Sequence, residues 1–205
     1  MIKVENLTIT SRQPILKAFS FNFEKDNIYQ IMAENGAGKS TFLRALTQLV
    51  KYEGRIVYDN KSYKQSKEKV FFFEDNSWFS DDLNSLDYLD LTKKLWHSTH
   101  SITKEIEFWG IDEFRKLPIK KYSLGMKQKL IIAMYFVSDA PYLLMDEITN
   151  GLDQETREKF YFRLNELIDR NNKCIILTSH YANEIKKLHN LTTLKLENLS
   201  MNEVN

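Results

Sequence analysis

The chain has 205 residues, a formal net charge of +1 and a single cysteine. That length allows one domain with a sizeable core and room for a subdomain, and the balanced charge removes the electrostatic case for a broad nucleic-acid or anionic-lipid surface. One thiol excludes an intrachain disulfide, and neither the N-terminal Met1-Ile2-Lys3-Val4-Glu5-Asn6 nor any apolar run has the length of a signal peptide or bilayer crossing, so a cytoplasmic protein is expected.

In chain order, residues 2–8, 19–24 and 28–32 show the apolar patterns of short strands, with a turn at Asp26-Asn27. The third strand runs into Ala33-Glu34-Asn35-Gly36-Ala37-Gly38-Lys39-Ser40-Thr41, and a helical pattern follows to about Lys51. Strand, glycine-rich turn, Lys-Ser, helix is the order that builds a phosphate cradle. The glycines let successive N–H groups face an anion, and the helix N-terminus adds partial positive charge. Asn35, Gly36, Ala37, Gly38, Lys39, Ser40 and Thr41 are therefore expected to bind a nucleoside triphosphate. Lys39 would reach the β- and γ-phosphates, and the Ser40 hydroxyl would ligate Mg²⁺. The first glycine of the usual pattern is Ala33 here, which is costly if that position needs positive φ.

A strand is expected at 55–58, a polar connection over 59–69 and a buried strand at 70–73. Residues 76–138 then change character. Ser85 and Thr103 are candidate caps of two helices, the second ended by Gly110, and Ser123 begins a third pattern through Leu130, Ile131 and Met134. This is a mostly helical insertion, residues 76–138, set into a core made of 1–75 and 139–205. Phe71, Phe72 and Phe73 are expected in the core; Trp78 and Phe79 are equally compatible with core and with a docking groove.

The apolar run Tyr142-Leu143-Leu144-Met145 ends in Asp146-Glu147. Such a strand places a carboxylate at the sheet edge where ligands bind. Asp146 can hold Mg²⁺ through water, and Glu147 can polarise an attacking water. A helix is expected over 154–170, and a strand with Cys174 buried over 174–177, ending in Thr178-Ser179-His180. A helix over 183–188, a strand over 193–196 and a frayed tail over 198–205 complete the chain. Strands alternating with helices predict an α/β fold with a parallel sheet. Ser123 and Gly125, at a helix start, form either a second anion site or a plain capped helix. His180 could donate a hydrogen bond to a γ-phosphate or serve as a capping residue.

Taken together, these segments resemble the nucleotide-binding subunit of an ABC transporter over nearly the whole chain and in the family's order. Residues 33–41 look like Walker A, and Leu143 to Glu147 like Walker B. Tyr122, Ser123, Leu124, Gly125 and Met126 look like the signature motif in an exporter-type spelling. Thr149-Asn150-Gly151-Leu152-Asp153 is similar to the D-loop, and His180 matches the switch histidine.

The resemblance implies a P-loop NTPase (RecA-like) core with N-terminal antiparallel strands and an inserted helical subdomain. It implies an ATPase powering transport, in the export direction, with Glu147, His180 and Lys39 catalytic and ATP and Mg²⁺ as cofactors. Ser123 and Gly125 would cap the γ-phosphate of a second protomer, a copy of the chain in preference to a paralogous ATPase. The insertion would grip an integral membrane permease at the cytoplasmic face, with no nucleic-acid partner. A soluble ATPase acting on nucleic acid or ribosomes is the rival; the absence of a coiled-coil insertion, a tandem cassette or a basic excess opposes it. Three departures stand out. Glu74-Asp75 occupies the Q-loop region, Asp75 fitting the metal position best by spacing. Thr10-Ser11-Arg12 replaces the adenine-stacking aromatic, leaving Arg12 as a possible planar substitute. Ile148 replaces a proline after the Walker B glutamate.

Overall fold

The computed structural model describes residues 1–169, 172–179 and 185–204. Two sheets form. A three-stranded antiparallel sheet has the order β2 (Pro14–Phe23), β1 (Ile2–Thr10), β4 (Glu53–Tyr58). The six-stranded sheet runs β5 (Val70–Phe72), β6 (Tyr142–Met145), β7 (Cys174–Thr178), β3 (Asn27–Met32), β8 (Leu191–Glu197), β9 (Ser200–Val204). Its first five strands are parallel and β9 is antiparallel to β8.

Helices cover both faces of the larger sheet, and its strands are apolar on both sides, as a covered parallel sheet requires. Leu143, Met145, Ile175 and Leu177 enter one core with the helices α3 (Ser85–Leu95), α4 (Ile102–Trp109), α5 (Leu124–Ser138) and α6 (Gln154–Asp169). Their alternate neighbours Tyr142, Leu144, Cys174 and Ile176 enter a second core with α1 (Lys39–Leu46) and the small sheet. The single turn α2 (Tyr63–Ser66) lies in the polar connection before β5. Cys174 is fully buried, as expected for a core thiol.

Several boundaries differ from the sequence expectation, each for a local reason. The helix after the glycine turn stops at Leu46 rather than Lys51. Gln48 adopts a left-handed conformation (φ 57°), while Leu49 N–H returns to Arg44 C=O at 2.8 Å and Gln48 N–H to Ala45 C=O at 3.1 Å. That pairing is a Schellman stop without glycine. Asn84, not Ser85, caps α3: its side-chain oxygen accepts from Leu86 N–H at 2.8 Å, and Asp87 accepts from Asn84 N–H at 2.9 Å. Ser85 is instead buried against the Tyr122 hydroxyl at 2.7 Å. Ser101, not Thr103, caps α4. Over 198–204 the tail is not frayed: Met201 pairs with Leu196 and is buried, and Leu199 C=O accepts from Lys17 N–H at 2.9 Å, joining the β8–β9 turn to β2. The helix expected over 183–188 falls partly outside the described residues.

Candidate functional site

Strand order sets the site. β3, β7, β6 and β5 are neighbours and parallel, so their carboxyl ends share one edge. The glycine turn leaves β3, Asp146 and Glu147 leave β6, and Glu74 and Asp75 follow β5. Thr178 ends the strand between the first two, beside the acids that leave β6.

The turn is built for an anion. Gly38 has φ 109°, and a Cβ there would lie 2.3 Å from Ile15 Cγ2, so only glycine fits. Ala33 is not among the positive-φ residues, so the departure from glycine carries no backbone cost. Gly38 caps α1 without a side-chain hydrogen bond, and no acidic residue occupies the first turn. The helix N-terminus therefore keeps its N–H groups and partial positive charge available. Lys39, 6% exposed, donates to the carbonyls of Ala33 (3.0 Å) and Glu34 (3.3 Å).

Asn35, Gly36, Gly38, Lys39, Ser40, Thr41 and Glu147 line one cleft of about 160 Å³. Ser40 and Glu147 also line an adjoining cleft of about 270 Å³ whose walls include Glu74, Asp75, Asp146, Leu124 and Gln128. Ala37 faces a different hollow beside β8. Asp146 accepts from the Thr178 hydroxyl at 2.7 Å and hydrogen-bonds Ser40. Burial pushes its carboxyl above the usual range, against the pull of those two hydrogen bonds. Glu147 is held in a left-handed conformation (φ 45°). Its N–H donates to Thr178 Oγ1 at 2.8 Å, and its Oε2 accepts from Asn150 Nδ2 at 2.7 Å. Strained backbone of this kind collects at working sites.

Ser123 and Gly125 do not line either cleft. Ser123 caps α5, its Oγ accepting from Met126 N–H at 3.2 Å, and Gly125 lies beside Gly151, whose C=O would be 3.5 Å from an added Cβ. Gly151 has φ 79°, and a Cβ there would meet Leu124 Cδ2 at 2.7 Å, so glycine is needed for the two segments to touch. Asp153 caps α6 through Thr156 N–H at 2.8 Å, which holds its carboxyl below the usual range. Asp75 reaches the cleft wall, yet its Oδ1 accepts from Ser77 N–H at 2.6 Å. Its neighbour Glu74 is the more buried and is gripped by Arg44. His180 lies outside the described residues.

Sequence reasoning missed four contributors. Thr178 and Asn150 orient the acids, Gln128 Nε2 ties α5 to Ile148 C=O at 2.7 Å, and Arg44 holds Glu74. Tyr135 is a fifth link: its buried hydroxyl accepts from Phe73 N–H at 3.1 Å and donates to Leu144 C=O. Apart from Asn150, which lies in the run 149–153, none belongs to the motifs named from the sequence, and only the fold reveals what each one does. Phe79 and Trp78 divide the two expectations: Phe79 is buried in the core, while Trp78 is 43% exposed.

The family model for ABC transporters matches residues 16–150. The chain belongs to the ABC transporter family. The lantibiotic transport ATP-binding protein SrtF of Streptococcus pyogenes is 31% identical over 196 residues, spanning 92% of this chain and 83% of the relative. The bacitracin transport ATP-binding protein BcrA of Enterococcus faecalis is 28% identical over 213 residues, spanning 100% of this chain and 69% of the relative. A solved ATP-binding subunit of an ABC transporter superposes with a TM-score of 0.87 at 19% identity, covering 100% of this chain and 90% of that one. A bacterial ABC cassette solved as a dimer gives 0.84 at 21% identity, covering 100% and 99%. Those two likenesses establish the P-loop α/β fold of an ABC cassette. As an ABC ATP-binding subunit, the protein binds and hydrolyses ATP and works with a membrane component. Among its described residues no helix is long and apolar enough to cross a membrane.

Proposed function

We propose that this cassette hydrolyses MgATP at the cleft shared by Ser40, Asp146 and Glu147 and drives export through a separate permease. The observation that carries the reading is that Ser40 and Glu147 line both adjoining clefts while Ser40 hydrogen-bonds Asp146. A hydroxyl and a carboxylate held together are hard oxygen donors suited to Mg²⁺. Among the described residues no three His, Cys, Asp or Glu side chains are placed to cage a metal, so the nucleotide's phosphates would supply the remaining oxygens. Mg²⁺, when bound, supplies positive charge to the β- and γ-phosphoryl oxygens.

The chain's own residues do the rest. Lys39 exchanges its carbonyl partners for phosphate oxygens, and residues 35–41 wrap the triphosphate with N–H groups. Glu147 accepts hydrogen bonds from the attacking water, with Asn150 and Thr178 fixing its direction. Asp75 stands on the metal side as a weaker candidate, its Oδ1 already engaged by Ser77. His180 is assigned to the γ-phosphate from its motif alone.

Ser123 and Gly125 complete the site of a second copy, head to tail, with residues 149–153 between the two sites. Residues 76–138 form the subdomain that meets the permease, with exposed Trp78 at its root, and the complex lies on the cytoplasmic face of the membrane. The names of SrtF, a lantibiotic transport protein, and BcrA, a bacitracin transport protein, favour a cargo of that kind. In the test, Glu147→Gln should keep ATP affinity, lose at least about a hundredfold in turnover, and elute as a dimer with MgATP. Hydrolysis at the parent rate would overturn the assignment of Glu147.

A further inference from the structure

The cleft adjoining the glycine turn, where a polyanion must lodge, is lined by four carboxylates, those of Glu74, Asp75, Asp146 and Glu147. Like charges at such range oppose one another strongly where water is scarce. The nucleotide-binding helix answers with a cation on the right face. Ser40 and Arg44 stand one turn apart on α1 and so share a side. Ser40 takes Asp146, and Arg44 takes Glu74 through Nε at 2.6 Å and through Nη2. The Glu74 side chain is 8% exposed and that of Arg44 43%. The acid is therefore buried, and its counter-charge half-solvated. Glu74, then Asp146 and Asp75, hold the guanidinium more firmly protonated than usual.

We propose that Arg44 is a positioning residue of the ATP site: it neutralises Glu74 and pins it to the helix that binds the phosphates, so that an acidic cleft admits a triphosphate. The proposal rests on reading this cleft as the nucleotide site. Without Arg44, Glu74 is a buried carboxylate with no partner, and it repels the incoming phosphates. A metal-bound nucleotide is less negative, and its cation is drawn to the released carboxylate. Loss of Arg44 therefore penalises metal-free ATP more than MgATP.

Equilibrium titration of the nucleotide-free protein with ATP, once in EDTA and once in excess Mg²⁺, reads this ratio directly. Arg44→Ala should weaken metal-free ATP about tenfold and MgATP by no more than about threefold. Arg44→Lys should recover most of the loss. Arg44→Ala combined with Glu74→Gln, which leaves no buried unpaired charge, should bind metal-free ATP as the parent does. Equal losses under both conditions, no loss under either, or a double variant still tenfold weaker would each overturn the role of Arg44. Should Arg44→Ala not fold, the lysine and double variants decide the matter. Lys39→Ala separates the two levels. If it binds nucleotide like the parent, the site reading itself fails; if it does not and Arg44→Ala is neutral, only the present proposal falls.

Discussion

Glu105, on α4, is 1% exposed in its side chain and accepts from His100 Nε2 (2.7 Å), Trp109 Nε1 (2.9 Å) and Arg163 Nη2 (2.7 Å). Arg163 comes from α6 and lies over the rings of Phe108 and Phe136, so one guanidinium joins the insertion to the core. Burial pushes the Glu105 carboxyl up, but its three donors more than offset that, and the folded value lies below the ordinary 4.5. A lowered folded pKa means stability that is present above 4.5 and lost as pH falls through the folded value. Arg163→Ala should cost about 3 kcal/mol or more in urea unfolding, because it strands a buried charge. It should also weaken the loss of stability on acidification. A variant as stable as the parent at neutral pH, with the same acid limb, would show that the pair does not hold the two parts together. At this scale the residues of the glycine turn, 35–41, were legible because their spacing is the signal; Glu105, Arg163 and Arg44 were not, because their partners lie far along the chain.

At the level of elements, three of the described helices stop on left-handed residues that carry side chains, α5 among them at Asp139 (φ 50°). Gln48 (φ 57°) ends α1 and His97 (φ 52°) ends α3, the latter with Ser98 N–H on Lys93 C=O at 3.0 Å. Sequence reading looks for glycine at such stops, which is why Gly110 was identified and the end of α1 was placed too late. Gln48→Gly should therefore stabilise the protein by about 0.5–1 kcal/mol, seen as a higher melting temperature with unchanged nucleotide affinity. A lower melting temperature would mean that the side chain contributes more than the backbone strain costs. The strands of the large sheet were legible from their apolar runs, since a doubly covered sheet needs no polar alternation. β9 was not legible: Ser200, Asn202 and Glu203 are polar, and only Met201 enters the core.

On the scale of the whole molecule, β9 forms the sheet edge, and the turn that leads into it meets the small sheet through the Lys17–Leu199 hydrogen bond. Ending the chain after Glu197 would uncover β8 and remove Met201 from the core, a loss of at least about 2 kcal/mol. Chemical denaturation of the shortened protein measures it, and an unchanged midpoint would leave β9 as ornament. The parallel order of β5, β6, β7 and β3 has a larger effect, for it gathers residues from distant stretches onto one edge. Motif order implied that gathering, but not the threonine wedged between the two acids.

Tyr135 works like a rivet through three plates. Its shaft belongs to the helix that opens with Ser123, and its head is fastened to Phe73, just past β5, and to Leu144 within β6. A push that tilts this helix must drag Phe73 and Leu144 along or tear the oxygen from both. Glu74 follows Phe73 directly and Asp146 stands two residues after Leu144, so a nudge delivered at the helix would arrive at these cleft-lining acids as a change of aim.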